Sequence, residues 1–137
     1  MISRSIYISG KNDAVDFFTK EMNISKENIL WNGNHESDYS FYRRKENAVF
    51  VSSLKGSISY ALDIDIFDIE WIDLDKKFIE MFSKELIIAV PDEESSDPFR
   101  YIVYESGVKR SSWVFEDEID KELILKEINS DNQGEVN

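Results

Sequence analysis

The chain has no cysteine and a single histidine, His35. The first absence excludes a disulfide frame, a thiolate zinc site and a cysteine nucleophile, and it suits a reducing, cytoplasmic location. The second excludes a histidine-rich metal site and confines any Ser-His-Asp triad to one residue, which the surrounding polar turn makes a surface loop residue. Glycine is scarce as well. Its five copies, at positions 10, 33, 56, 107 and 134, are too scattered to build a phosphate-cradling loop, a dinucleotide fingerprint or a Gly-x-Ser-x-Gly elbow. No apolar run approaches the ~18 residues that span a bilayer, and the N-terminus lacks the apolar core of a signal peptide. Positive charge is in short supply, with 16 Lys and Arg against 28 Asp and Glu and a net charge of -12. Nucleic acid and anionic membranes are therefore excluded as direct partners, and a basic protein is the natural complement.

What is present is core material. Of 137 residues, 42% are hydrophobic and 13% aromatic, enough for one domain, expected over residues 1–128 with a flexible C-terminal tail over 129–137. Met1 to Ser9 predicts a strand. Ala14, Val15, Phe18 and Met22 have helical spacing, with Asn12 or Asp13 as the cap. Asn32-Gly33 predicts a hairpin bend, and Tyr39 to Arg44 and Ala48 to Val51 read as antiparallel strands. From Ile58 to Ile66 alternation is strict: Ile58, Tyr60, Leu62, Ile64 and Ile66 face one way, Ser59, Ala61, Asp63 and Asp65 the other. The phase flips after Ile66, which predicts a bulge or bend near Phe67. Asp73 or Asp75 caps a helix through Phe78, Ile79, Phe82 and Leu86. Leu86 to Val90 is a continuous apolar run, as in a strand buried on both faces. Phe99 to Tyr104 and Ser112 to Phe115 read as strands around a turn at Gly107, and Glu116 to Ile128 as a last helix with Ile119, Leu123, Ile124 and Ile128 on its buried stripe. The expected fold is a single α+β domain, a largely antiparallel sheet of five to seven strands with about three packed helices.

The charge is unevenly placed. Residues 1–62 hold eight basic and seven acidic side chains, whereas the remainder holds eight basic and 21 acidic ones, a charge of -13. Asp63 and Asp65 share a strand face, Asp68 follows, and the loop acids Asp92, Glu93, Glu94 and Asp97 extend the series. Crowded carboxylates repel one another, so this arrangement suits a cationic partner. Solubility alone also accounts for an acidic surface. Asp63-Ile64-Asp65 and Asp73-Leu74-Asp75 are Asp-x-Asp pairs that could ligate a hard cation or serve acid/base hydrolysis, but a calcium-loop pattern is absent. No catalytic residue, metal site or cofactor is assigned, and the chain is read as a binding protein and not an enzyme.

In this character the chain resembles the immunity proteins that bacteria pair with toxins, including those of contact-dependent growth inhibition: small, acidic, cysteine-free and rich in Ile, Lys and Asp, with carboxylates at Asp63, Asp65, Asp68 and the loop from Asp92 to Asp97. The resemblance implies a cytoplasmic inhibitor, monomeric or weakly homodimeric when free, that covers a cognate toxin domain with a basic, nuclease-like surface. The expected contact residues are Asp63, Asp65, Asp68, Glu93, Glu94, Asp97 and Tyr101. Two alternatives use the same acids: a DNA-mimicking, anti-restriction-type inhibitor, and a small metal-dependent enzyme built on a carboxylate pair.

Overall fold

The structure, a computed structural model, describes residues 2–10, 12–31, 40–67 and 71–129. Its frame is one eight-stranded sheet in the order β2-β3-β4-β1-β5-β6-β7-β8. The strands are β1 (Ile2–Ile8), β2 (Ile29–Trp31), β3 (Ala48–Ser53), β4 (Tyr60–Ile66), β5 (Ile88–Pro91), β6 (Arg100–Glu105), β7 (Val108–Ile119) and β8 (Glu122–Asn129). Every pairing is antiparallel except β2 with β3, so the sheet is mixed.

The alternation of β4 decides how this sheet is covered. Ile6 pairs with Leu62 and Arg4 with Ile64, and the Ile and Leu side chains of this face are buried with Val49, Val51, Ile88 and Val90. Helices α1 (Asn12–Lys20) and α3 (Trp71–Phe82) cap it. They deliver Phe17, Phe18, Phe78 and Phe82, whose ring centroids lie 5.0 to 6.0 Å apart, mostly edge to face. On the other face Ser5 stands opposite Asp63, Ser3 opposite Asp65 and Tyr7 opposite Ala61.

Several expectations are corrected here. The sheet has eight strands, not five to seven, and among the described residues only α1 and α3 exceed two turns, where about three helices were expected. The predicted last helix from Glu116 is instead the end of β7 and all of β8. Its Ile119, Leu123, Ile124 and Ile128 fit a helical stripe, yet the same stretch alternates Leu123, Leu125 against Ile124, Lys126, Ile128, and cross-strand pairing selects the strand. The reversal needs two left-handed residues, Asp120 (φ 53°) and Lys121 (φ 66°), which is the geometry of a two-residue hairpin turn without its usual Asn-Gly. Ser106 and Gly107 (φ 53° and 79°) make the same turn between β6 and β7. Asn129, expected to open the tail, closes β8, and residues 130–137 lie outside the described residues. The strand expected from Tyr39 to Arg44 is a single helical turn, α2 (Ser40–Arg43), and the Asn32-Gly33 bend and His35 lie outside the described residues. Of the bulge or bend expected at the phase flip, the structure has the bend: β4 ends at Ile66, the chain bends at Phe67, and the Phe67 amide donates to Asn47 Oδ1 at 2.8 Å.

Only Val108–Trp113 of β7 pair with β6, while Val114–Ile119 pair with β8 alone. This two-stranded arm bends back over the face that lacks α1 and α3. The Lys55 amide donates to the Leu123 carbonyl at 2.8 Å, and Lys55 bridges Ile124. Sheet and arm thus enclose a second, smaller core of Tyr7, Leu54, Ala61, Tyr101, Val103 and Val114, with Leu125 against it.

Candidate functional site

Beside this smaller core the central strands remain open. A cleft of about 430 Å³ is lined by Ser3, Arg4, Ser5, Asp63, Pro91, Glu93 and Tyr101. Antiparallel pairing of β1 with β4 places Asp63 there, and the β5–β6 loop, leaving the sheet at Pro91, brings in Glu93. Strand and loop, 30 positions apart in Asp63 and Glu93, therefore share one concavity.

Arg4 organises one wall. Its side chain is only 4% exposed, and it forms an ion pair with Asp75 of α3 at 2.5 Å, another with Glu93, and a hydrogen bond donated to the Pro91 carbonyl at 3.0 Å. A buried guanidinium requires such partners, so Arg4 ties helix, strand and loop together. Burial, with the neighbouring Glu93 charge added, outweighs the attraction of Arg4 and holds the Asp75 carboxyl at about 6, above its ordinary value.

The other wall is a row of hydroxyls. Ser5 donates to Asp63 and Ser3 to Asp65, both at 2.5 Å, and Tyr42 donates to Asp65 at 2.6 Å. Tyr7 donates to Glu116 at 3.2 Å and Tyr101 to the Ser5 carbonyl at 3.4 Å, with the two rings 5.5 Å apart. Burial makes both phenols harder to ionise, pushing each above its ordinary value. Neighbouring Glu116 and Asp63 push Tyr7 in the same direction, so both tyrosines act as neutral hydrogen-bond donors.

The expected contact residues separate into three groups. Asp63, Glu93 and Glu94 are exposed, the first two in the cleft and Glu94 beside it in sequence. Asp65 and Tyr101, at 7% and 6% exposure, are buried and hydrogen-bonded within the chain; Tyr101 lines the cleft, and Asp65 lies outside its lining and accepts from Ser3, which is in it. Asp97 is also committed internally, accepting from the Phe99 amide at 2.9 Å and from Trp113 Nε1 at 3.2 Å. It fixes the loop. Asp68 lies outside the described residues. Sequence reading missed Arg4 and Glu116, and it took Asp75 for a helix cap or half of an Asp-x-Asp pair and not for the partner of a buried arginine. The signal for Arg4 was a lone cation between Ile2 and Ile6 in a strand, and Glu116 was hidden by its assignment to a helix.

Among the described residues no group of three or more His, Asp or Glu is arranged to hold a metal ion, and no helix is long and apolar enough to cross a membrane. No protein family, curated protein or solved structure matches the chain.

Proposed function

We propose that the chain is an immunity-type inhibitor whose acidic cleft receives a basic surface of a protein toxin. The observation that carries this reading is the meeting of Asp63 and Glu93 in one cleft, with exposed Glu94 next along the loop. Such carboxylates accept charge-assisted hydrogen bonds from the Lys and Arg that a nuclease-like domain uses to hold phosphate. Exposed Phe99, in the same loop, supplies an apolar anchor. The field of a chain at -12 accelerates capture of a cation-rich partner by roughly 10- to 1,000-fold. The tethered loop adds preorganisation, since Arg4 and the Asp97 contacts hold it before the partner arrives.

The test takes the product of the reading frame next to this gene and, if that product is a large polypeptide, its C-terminal domain. Expressed alone it is expected to arrest growth, and co-expression of the chain to restore it. Asp63→Asn with Glu94→Gln, which leaves the Arg4–Glu93 ion pair in place, should weaken binding of that domain at least about tenfold, or 1.4 kcal/mol, with an unchanged melting temperature. A neighbouring product that neither harms cells nor binds the chain, or unaltered affinity in the double variant, overturns the reading.

A further inference from the structure

The face of the sheet that α1 and α3 cover runs on past them. Ile102 and Tyr104 of β6 still pack against the helix-covered core, and the strand face they share continues through Trp113 onto the outer side of the β7–β8 arm. There Trp113 stands opposite Ile128, Phe115 opposite Lys126 and Asp117 opposite Ile124. The arm's inner side carries Val114 and Leu125, which serve the smaller core. On the outer side Trp113, Phe115, Ile119, Ile124 and Ile128 belong to neither core; Ile119 and Ile128 are each 42% exposed and the other three half-buried. Five large apolar side chains in one run exceed the single, scattered exposures usual at a surface.

The middle of this run has a particular layout. Phe115, Lys126, Asp117 and Ile124 are the corners of a block, with the ionic pair on one diagonal and the apolar pair on the other. Lys126 and Asp117 are bridged at 3.2 Å, and both stay nearly half exposed. A two-fold axis along the Phe115–Ile124 diagonal exchanges the ends of the ionic one. Lys126 of each copy then meets Asp117 of the second, while Phe115 and Ile124 each meet their own counterparts. Every contact is favourable, which is the self-complementarity an isologous dimer requires. An exposed bridge within one chain is worth little, and it strengthens once apolar neighbours exclude water from it.

Charge favours the same face. At -12, two copies of the chain repel each other in most orientations. This side of β6, β7 and β8 instead holds Arg100, Lys109 and Lys126 against Asp117 and Glu122, an excess of one positive charge, and Glu122 is bridged to Lys55. Arg100 lies over the Trp113 ring at 4.2 Å, and neither it nor Lys109 forms an ion pair among the described residues. An acidic second copy is thus least opposed here.

We infer that the outer face of the β7–β8 arm is the contact surface of a homodimer, built isologously around the Lys126–Asp117 pair. From Trp113 to Ile119 it runs about 20 Å, small for a permanent dimer and suited to a weak, reversible one. The acidic cleft opens on the opposite side of the sheet, at Ser5, Asp63 and Tyr101, so each copy keeps it free. The dimer does not rest on the inhibitor reading.

The experiment is sedimentation equilibrium of the full chain from about 10 μM to about 1 mM, where a monomer–dimer equilibrium is expected. Lys126→Glu and Asp117→Lys should each weaken it at least tenfold, because each sets like charges against one another across the axis. An equimolar mixture of the two variants should restore association as a heterodimer, since opposite charges then meet at both positions; general damage to the fold would not be repaired in this way. If either charge variant fails to fold, Phe115→Ser, which leaves both charges in place, decides by the same tenfold loss. A chain that stays monomeric to about 1 mM overturns the proposal. So does a dimer whose affinity these variants leave unchanged, which is made elsewhere on the molecule, or a mixture that fails to associate.

Discussion

The two faces of β1 and β4 are made by the same fourteen residues and behave as different materials. One presents Ile6, Ile8, Leu62, Ile64 and Ile66 to two helices and four phenylalanines. The other presents Ser3, Ser5, Tyr7, Asp63 and Asp65, is roofed only in part by the β7–β8 arm, and satisfies its polar atoms with hydroxyl-to-carboxylate bonds. The helix side is held by dispersion and water exclusion, which tolerate no missing volume. The open side is held by short hydrogen bonds whose net worth is about 1 kcal/mol each and whose groups retain some access to water. A partner surface can therefore form on the second face without weakening the first.

That division can be broken by the largest effect expected. Phe78 is fully buried among three other rings, so Phe78→Ala should cost about 3–5 kcal/mol in urea unfolding. Asp63→Asn, on the exposed side of the same sheet, should change stability by less than about 0.5 kcal/mol. Comparable losses in the two variants would mean that the open face carries as much of the fold as the helix-covered one.

The next effect falls where the two faces meet, at Arg4 and Asp75. The Asp75 carboxyl is held at about 6 in the folded chain against 3.8 ordinarily, so the native state binds its proton more tightly than the unfolded state does. The stability this contributes is fully present below about pH 4 and is lost as pH rises through about 6. In a set of urea titrations, wild type should lose roughly 2 kcal/mol relative to Asp75→Asn between pH 4 and pH 7. Parallel curves would show that Arg4 keeps the carboxylate ionised throughout.

The smallest effect concerns the arm. Lys121→Gly relieves a left-handed lysine in the hairpin turn and should stabilise by about 0.5–1 kcal/mol, read as a rise in melting temperature. A fall would mean that the Lys121 side chain contributes more than its backbone strain costs.

Where local pattern and final environment agree, the sequence was legible. Strict alternation located β4 and correctly set Asp63 and Asp65 on one face. The spacing of Phe78, Ile79 and Phe82 located α3. The loop carrying Glu93 and Glu94 was recognised from its composition, but its position beside Asp63 depends on β5 pairing with β1, which no local pattern encodes. The arm was misread for a related reason. Acids at Glu116, Asp117 and Glu118 imitate a helix start, and the turn at Asp120-Lys121 lacks glycine or asparagine, so only the partner strand reveals the hairpin. Of the expected contact residues, Asp65 and Tyr101 were placed on the correct element, yet their burial follows from the curl of the sheet and from Tyr42, both non-local.

Strand order has a consequence for how the chain is made. The strand Ile2–Ile8 is made before both of its neighbours in the sheet, Tyr60–Ile66 and Ile88–Pro91. During synthesis it has no native neighbour until β4 has emerged, and its second flank stays unpaired until β5 follows. Ring closure over such separations is slow relative to local hairpins. Ile2–Ile8 must therefore wait for its partners as an isoleucine-bearing segment, and its serines and Arg4 keep that waiting segment from being uniformly apolar.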